Sequence, residues 1–214
     1  MLTIWGRANS INVQKAMWTL GEVGTAHERI DAGGPFGGLD TPEFAALNPN
    51  RRVPVLKDGE TVIWESNAII RYLAAKYGEE TLWSPDADLR ARADLWMAWM
   101  QTTLYPDFIK LFWGLVRTPP EQQDRARNEA AAVRLGAHYE ILDRHLAGRA
   151  YVAGEALSMG DIPAGATLYR YYGMEIARPA LPNIEAWYAR LTERPAYRAH
   201  VMLPFDDMYG RLAF

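Results

Sequence analysis

Val53-Pro-Val-Leu-Lys-Asp-Gly-Glu-Thr-Val-Ile-Trp-Glu-Ser66 decides the fold of the first third of the chain. Val53–Leu56 and Thr61–Trp64 are short apolar runs of strand character. Asp58-Gly59 lies between them and signals a hairpin, because glycine reaches the positive φ that tight turns require. Ser66 then opens a helix that runs to Tyr77 and is stopped by Gly78. Working outward, Leu2–Trp5 reads as a strand and Ile11–Val23 as a helix ended by Gly24. His27–Ile30 is a second strand. Thr41 is the N-cap of a short helix with Pro42 at its first position. The resulting order, βαβαββα, is that of an α/β layer.

The rest of the chain reads differently. Residues 79–88 form a polar linker containing Ser84-Pro85. Beyond it Leu89–Val116, Glu121–Leu146, Asp161–Tyr172 and Ile184–Thr192 carry helical periodicity, and no further strand is evident. Pro119-Pro120 ends the longest of these runs, since consecutive prolines cannot continue a helix. Ser158-Met-Gly-Asp161 has the spacing of a capping box, a device of folding and not of chemistry. The expected organisation is an α/β part over 1–78, a linker over 79–88 and an all-α part over 89–214.

Composition narrows the function. The 214 residues are 49% hydrophobic and 23% charged, an ordinary globular balance. A net charge of −3 gives no reason to expect nucleic acid or an anionic membrane as partner. No apolar run approaches the roughly 20 residues of a membrane span, and Met1–Trp5 lacks the features of a signal peptide, so the expected location is cytoplasmic. Cysteine is absent, which excludes disulfides, thiolate metal sites and a protein thiol nucleophile. The four histidines show no metal spacing, so no metal site is expected.

Taken alone, Ser10 and Ser66 are helix N-caps and Val53-Pro54 is an edge proline. Their order says more. Ser10-Ile-Asn-Val-Gln-Lys15, then Asn48-Pro-Asn-Arg-Arg-Val-Pro54, then Trp64-Glu-Ser-Asn-Ala68 resembles a cytosolic glutathione transferase of the bacterial, serine-type kind, over nearly the full length. The resemblance implies an N-terminal thioredoxin-like domain that binds glutathione and a C-terminal helical bundle that holds a small hydrophobic electrophile. Glutathione is then a co-substrate, no other cofactor is needed, and the assembly is a homodimer with a role in detoxification.

The same resemblance assigns residues. Ser10 donates to the glutathione sulfur, with Asn9 and Asn12 as competing donors and Asn12 the stronger of the two. Tyrosine-type members need a Tyr near the end of the first strand, and here the first Tyr is Tyr72. Val53, before a cis Pro54, pairs with the cysteinyl backbone. Glu65 and Ser66 hold the γ-glutamyl group, Arg52 pairs with a glutathione carboxylate, and Phe36 in Pro35-Phe-Gly-Gly38 lies over the glycyl end. The resemblance does not mark the electrophile pocket; Tyr105, Phe112 and Trp113, from an aromatic stripe whose spacing also suits a core or a dimer interface, are its candidates, with Met202–Phe205 and Met208-Tyr209 as candidate caps. Arg51 departs from the pattern, which has Gly there, and must avoid or tolerate a permissive backbone conformation.

Conjugation to electrophiles is the expected activity, with reduction of organic hydroperoxides as a second use of the same thiolate. A non-catalytic binding protein of the same fold is the alternative. An isomerase of the maleylacetoacetate type fits less well, because its Ser-Ser-x-Ser run is not matched by Asn9-Ser10-Ile11-Asn12.

Overall fold

The computed structural model describes residues 1–79 and 81–212; position 80, in the expected linker, and positions 213–214 lie outside the described residues. Four strands form one sheet: β1 (Leu2–Trp5), β2 (His27–Ile30), β3 (Val55–Asp58) and β4 (Thr61–Trp64), in the order β2-β1-β3-β4. β1 and β2 are parallel, and β3 runs antiparallel to both β1 and β4. Three helices accompany the sheet: α1 (Ile11–Val23), α2 (Pro42–Leu47) and α3 (Ser66–Tyr77). This is the thioredoxin-like layer expected, with one shift. β3 starts at Val55, two residues later than its sequence suggests, because Val53-Pro54 lies in the approach loop. Asp58 therefore pairs with Thr61, and the two-residue turn is Gly59-Glu60 with Gly59 at φ 59°.

Strand alternation sorts the two faces of the sheet. Ile4 and Leu56 pack with Val13, Leu20, Ile69 and Leu73 of α1 and α3. Trp5 and Val55 face the other way, onto Ala32 and Phe44 of the α2 side.

The helical part follows as α4 (Ala87–Trp99), α5 (Tyr105–Phe112), α6 (Arg125–Leu146), α7 (Asp161–Gly173), α8 (Pro182–Thr192) and α9 (Pro195–His200). The run read as one helix over Leu89–Val116 is interrupted by two π turns, Met100–Leu104 and Trp113–Arg117. Pro106 accounts for the first: it has no N–H to give the preceding turn, and the helix widens where that bond is lost. α6 begins at Arg125, not Glu121, after Asp124 caps it by accepting from Arg127 N. α9 carries no clear apolar period and was not anticipated.

α1 joins the two parts. Trp18 is fully buried in the helical core, edge-on to Tyr197 with ring centroids 4.8 Å apart. Gly165 of α7 makes room for it, since a Cβ there would lie 2.9 Å from both the Trp18 ring and Leu191. On the same side, Arg194 clamps both oxygens of Glu22 at 2.8 and 2.6 Å. The first turn of α1 is thereby held at a fixed place against the bundle.

Candidate active site

A cavity of about 340 Å³ opens where the first turns of α1 and α3 meet the helical bundle. One wall comes from Asn12, Asn48, Arg52-Val53-Pro54 and Glu65-Ser66. The other is Gln101, Tyr105, Ile109 and Trp113, a ladder of four-residue steps along α5 and its π turns. At 3.6 residues per turn, each four-residue step overshoots by about 40°. The wide π turn between Gln101 and Tyr105 reduces that overshoot and keeps the ladder facing the cavity.

Ser10 occupies the N-cap position of α1 in an extended conformation, yet its hydroxyl makes no capping hydrogen bond. The role a serine ordinarily fills there is left open. Ser10 does not line the cavity itself; it stands half-buried at the helix mouth, two residues before Asn12.

Asn12 is heavily engaged. Its Oδ1 accepts from Lys15 Nζ at 3.1 Å and from Ser66 Oγ at 3.3 Å. Lys15 is fully buried, with its ammonium 4.4 Å from the Tyr105 ring centroid. Burial pushes the Lys15 pKa down to about 7, against the pull of the Glu65 carboxylate. Burial likewise raises Tyr105. Sequence reasoning assigned Lys15 no role; a lysine at an interior position of a buried helix face was the available signal.

The Asn48–Ser66 wall is shaped by its backbone. Val53-Pro54 is cis. Asn48, itself buried, donates through Nδ2 to Arg52 O at 2.8 Å and accepts from Asn50 N at 2.9 Å, which ties the loop together. Val53 N–H and C=O pair with no backbone group among the described residues. Arg51 adopts φ 51°, the left-handed conformation that glycine would favour, and turns its guanidinium outward to Asp40 at 3.4 Å. Arg52 is exposed at the cavity edge. Glu65, at φ 70°, presents an exposed carboxylate to the cavity, and the free N–H groups of the first turn of α3 follow it. A helix N-terminus of this kind favours an anionic group, while Glu65 beside it favours a cation.

Some expected site residues lie elsewhere. Phe36 is exposed on a 3₁₀ turn and does not line the cavity. Tyr105 and Trp113 do line it, but Phe112 points into the bundle, stacked on Phe108 and 5.7 Å from the Phe205 ring. Seven residues separate Tyr105 from Phe112, close to two full turns, so the two begin on one face; the core stripe of Leu104, Phe108 and Leu111 claims Phe112, and the cavity takes Ile109 and Trp113. No residue of Met202–Tyr209 lines the cavity; Phe205 and Met208 are buried in the bundle. Gln101 and Ile109 were missed, because nothing in one sequence marks which face of a long aromatic helix meets a cavity. Among the described residues there is no cluster of three or more metal-ligating side chains, and no helix is long and apolar enough to cross a membrane.

A thioredoxin-like layer with a polar cavity at its cis-Pro loop, closed by a helical bundle, defines a small class of proteins, and comparison with known proteins gives it a name. Residues 1–75 match the N-terminal domain model of glutathione S-transferases and residues 93–195 match the C-terminal domain model. The chain is 42% identical to glutathione S-transferase GstB of Escherichia coli K12, over 95% of this chain and 99% of that protein. The theta class glutathione S-transferase of Xanthomonas axonopodis pv. citri with glutathione bound superposes with a TM-score of 0.91 at 49% identity, covering 95% of this chain and 98% of that one. Its apo form gives 0.84. The chain belongs to the glutathione S-transferase family.

Proposed function

We propose that the protein conjugates glutathione to hydrophobic electrophiles in the manner of a bacterial serine-type transferase, with Ser10 stabilising the thiolate. The observation that carries this reading is the Ser10 hydroxyl at the mouth of α1, free of any capping bond. Asn12, the rival donor, has its Oδ1 held by Lys15 and Ser66, which fixes the amide but leaves its Nδ2 able to donate, so the two residues are separated by the test below. A free thiol titrates near ~8.5. Bringing it to about 6.5 takes roughly 2.7 kcal/mol. A hydrogen bond to a charged acceptor supplies ~1.5–3 kcal/mol, and the helix N-terminus adds ~0.3–1 kcal/mol.

Glutathione lies with its γ-glutamyl end at Glu65 and Ser66, its cysteinyl backbone along Val53, and a carboxylate at Arg52. The thiolate sulfur then attacks an electrophile resting on Tyr105 and Trp113. A sulfur–carbon bond forms, the leaving group departs with its electron pair, and the thiol proton has already gone to solvent. Reduction of organic hydroperoxides uses the same thiolate, with glutathione as the reductant. The working unit in this reading is a cytoplasmic homodimer. Its glutathione-binding domain spans 1–78 and its electrophile-holding domain 89–214, joined by a linker over 79–88.

The test is an ultraviolet titration of bound glutathione on wild type and Ser10→Ala. The thiol titrates well below its free value in wild type and reverts in the variant. Binding with no shift in either protein overturns the Ser10 mechanism and leaves a binding protein.

A further inference from the structure

The helical wall of the cavity has a second cavity on its far side. Ile109 and Trp113 line both: the first, and a neighbouring hollow of about 320 Å³ between α5, its second π turn and the first turns of α6. Arg127, Ala131 and Arg134 come three or four residues apart and so share one face of α6. Lys110 and Gly114 line the hollow from the opposite side. Gly114 permits the close approach of the two elements. A Cβ there would lie 2.0 Å from Asn128 Oδ1, and the Gly114 carbonyl accepts from Asn128 Nδ2 at 3.1 Å. Trp113, 42% exposed, stands on the border between the two cavities.

The two cavities differ in charge. In the first, Arg52 and Glu65 balance one another. In the second, the charged lining is Lys110, Arg127, Arg134 and a single carboxylate, Asp124, whose Oδ1 is taken up in capping α6 through Arg127 N at 3.0 Å. Lys110 and Arg134 both approach one oxygen of Asp107, each at 3.5 Å, while His138 holds the other oxygen at 3.1 Å. Neither approach is as short as the roughly 2.7–2.9 Å of a charge-assisted hydrogen bond. Arg127 forms no ion pair among the described residues. The apolar wall of Ile109 and Trp113 thus ends in a concavity of positive potential.

Resting on the transferase reading above, we infer that the second cavity continues the acceptor site past Trp113, and that the enzyme favours elongated acceptors: a hydrophobic reactive group, a flexible spacer and a carboxylate at the far end. The reactive group rests on Tyr105 and Ile109, the spacer crosses Trp113, and Lys110, Arg127 and Arg134 face the carboxylate. Trp113 lies about two turns beyond Tyr105, roughly 11–12 Å along the helix, so a carboxylate placed directly on the reacting ring stops short of the cations. The carboxylate takes no part in the chemistry. For an aryl chloride, the glutathione sulfur bonds to the ring carbon and chloride leaves with the bonding electrons.

The test uses 4-chloro-3-nitrobenzoyl conjugates of glycine (short spacer) and of 6-aminohexanoate (long spacer), each beside its neutral primary amide. The reacting ring is the same in all four, so intrinsic reactivity is matched. Wild type favours the long acid over its amide by about threefold to tenfold in kcat/KM, the size that two or three partly exposed charge pairs supply. The short acid gains less than about twofold, and raising the salt to about 0.5 M removes most of the long acid's advantage. Arg127→Gln combined with Lys110→Gln, both on the surface, abolishes that advantage. In the same variant the KM for glutathione and the rate with the short amide move less than about twofold.

Equal rates for the long acid and its amide overturn the inference and leave the transferase reading standing. So does an equal advantage for the short and long acids, which would mean that the charge is read without passing Trp113. So does a rise in the glutathione KM in the variant with every acceptor, which would mean that these cations hold a glutathione carboxylate. Inactivity of wild type on all four acceptors overturns this inference alone if the bound thiol titrates low, and both readings together if it titrates at its free value.

Discussion

The Ser66 hydroxyl, at the first residue of α3, donates to Asn12 Oδ1 across 3.3 Å and so joins the opening turns of two helices 54 residues apart in sequence. The same oxygen accepts from the buried Lys15 ammonium. Two helix mouths and one buried cation are thus organised around a single amide.

Asn12→Ala removes that amide. Lys15 then keeps its burial and loses its acceptor, which costs about 1–3 kcal/mol of stability. Urea unfolding measures it. In the same variant the bound thiol still titrates low, because Ser10 is untouched. A thiol pKa that returns to the free value in Asn12→Ala and not in Ser10→Ala would transfer the donor role to Asn12.

Lys15 makes stability depend on pH in a specific window. Its pKa falls from 10.5 in the unfolded chain to about 7 in the fold. Between those values the unfolded state binds the proton and the folded state does not, so stability rises as pH increases through the window. Below about 7 both states are charged, and the full cost of burying the ammonium is present. The groups facing it are Asn12, the Tyr105 ring and the Glu65 carboxylate. Lys15→Met removes this contribution. Thermal melts between pH 7 and 10 should show wild type gaining on Lys15→Met as pH rises; parallel curves would mean that Lys15 is neutral throughout or charged throughout.

The strands and α1–α3 were legible because each carries local signals. Gly24 and Gly78 stop helices, Thr41-Pro42 starts one, and Val-Ile runs flank a glycine turn. β3 begins two residues later than its sequence suggests because a proline in the approach loop does not show where pairing begins. The site was legible only where it lies at helix starts and turns, at Ser10, Val53-Pro54 and Glu65-Ser66. The opposite wall was not. Its membership depends on how π turns reset the helix phase, and a pattern of aromatics every three or four residues fits a core stripe and a cavity ladder equally well. Phe112 was misplaced and Gln101 and Ile109 were missed for that one reason. For Lys15 the one local signal was its place on the apolar face of α1; that the ammonium itself is buried follows from tertiary packing.

Arg51 pays no visible part in the cavity, yet it holds φ 51°. A non-glycine residue in that region is disfavoured by roughly 1–2 kcal/mol. Its ion pair with Asp40 is long and exposed, and such pairs contribute about 0–1 kcal/mol. Glycine also loses more chain entropy on folding, about 0.4–1 kcal/mol. Arg51→Gly should therefore raise stability by about 0.3 kcal/mol, the strain outweighing the other two effects only narrowly. The KM for glutathione should not move, because Arg51 points away from the cavity while Arg52 lines it. Urea midpoints and initial rates check both halves. A large KM change would place the Arg51 side chain at the ligand after all.

Asp161 sets the strongest constraint in the bundle. Fully buried at the start of α7, it accepts from Val152 N and Trp187 Nε1 through one oxygen and from Ser158 N and Oγ through the other, all at 2.9–3.2 Å. Burial pushes its pKa up to about 6, and the four donors restrain the rise. The folded state thus holds this proton more tightly than the unfolded state, and the contribution of Asp161 falls as pH rises from about 3.8 to about 6. Asp161→Asn turns one acceptor into a donor aimed at other donors. It should cost about 1–3 kcal/mol near neutral pH and abolish this acid-range slope, with kcat unchanged per folded molecule. Ser158→Ala removes the hydroxyl's donation to Asp161 and its acceptance from Gly160 N, and should cost about 0.5–2 kcal/mol. Equal losses for the two variants would mean that the Val152 and Trp187 bonds add nothing, and that the motif is an ordinary helix cap instead of a pin between α7, α8 and the loop before them.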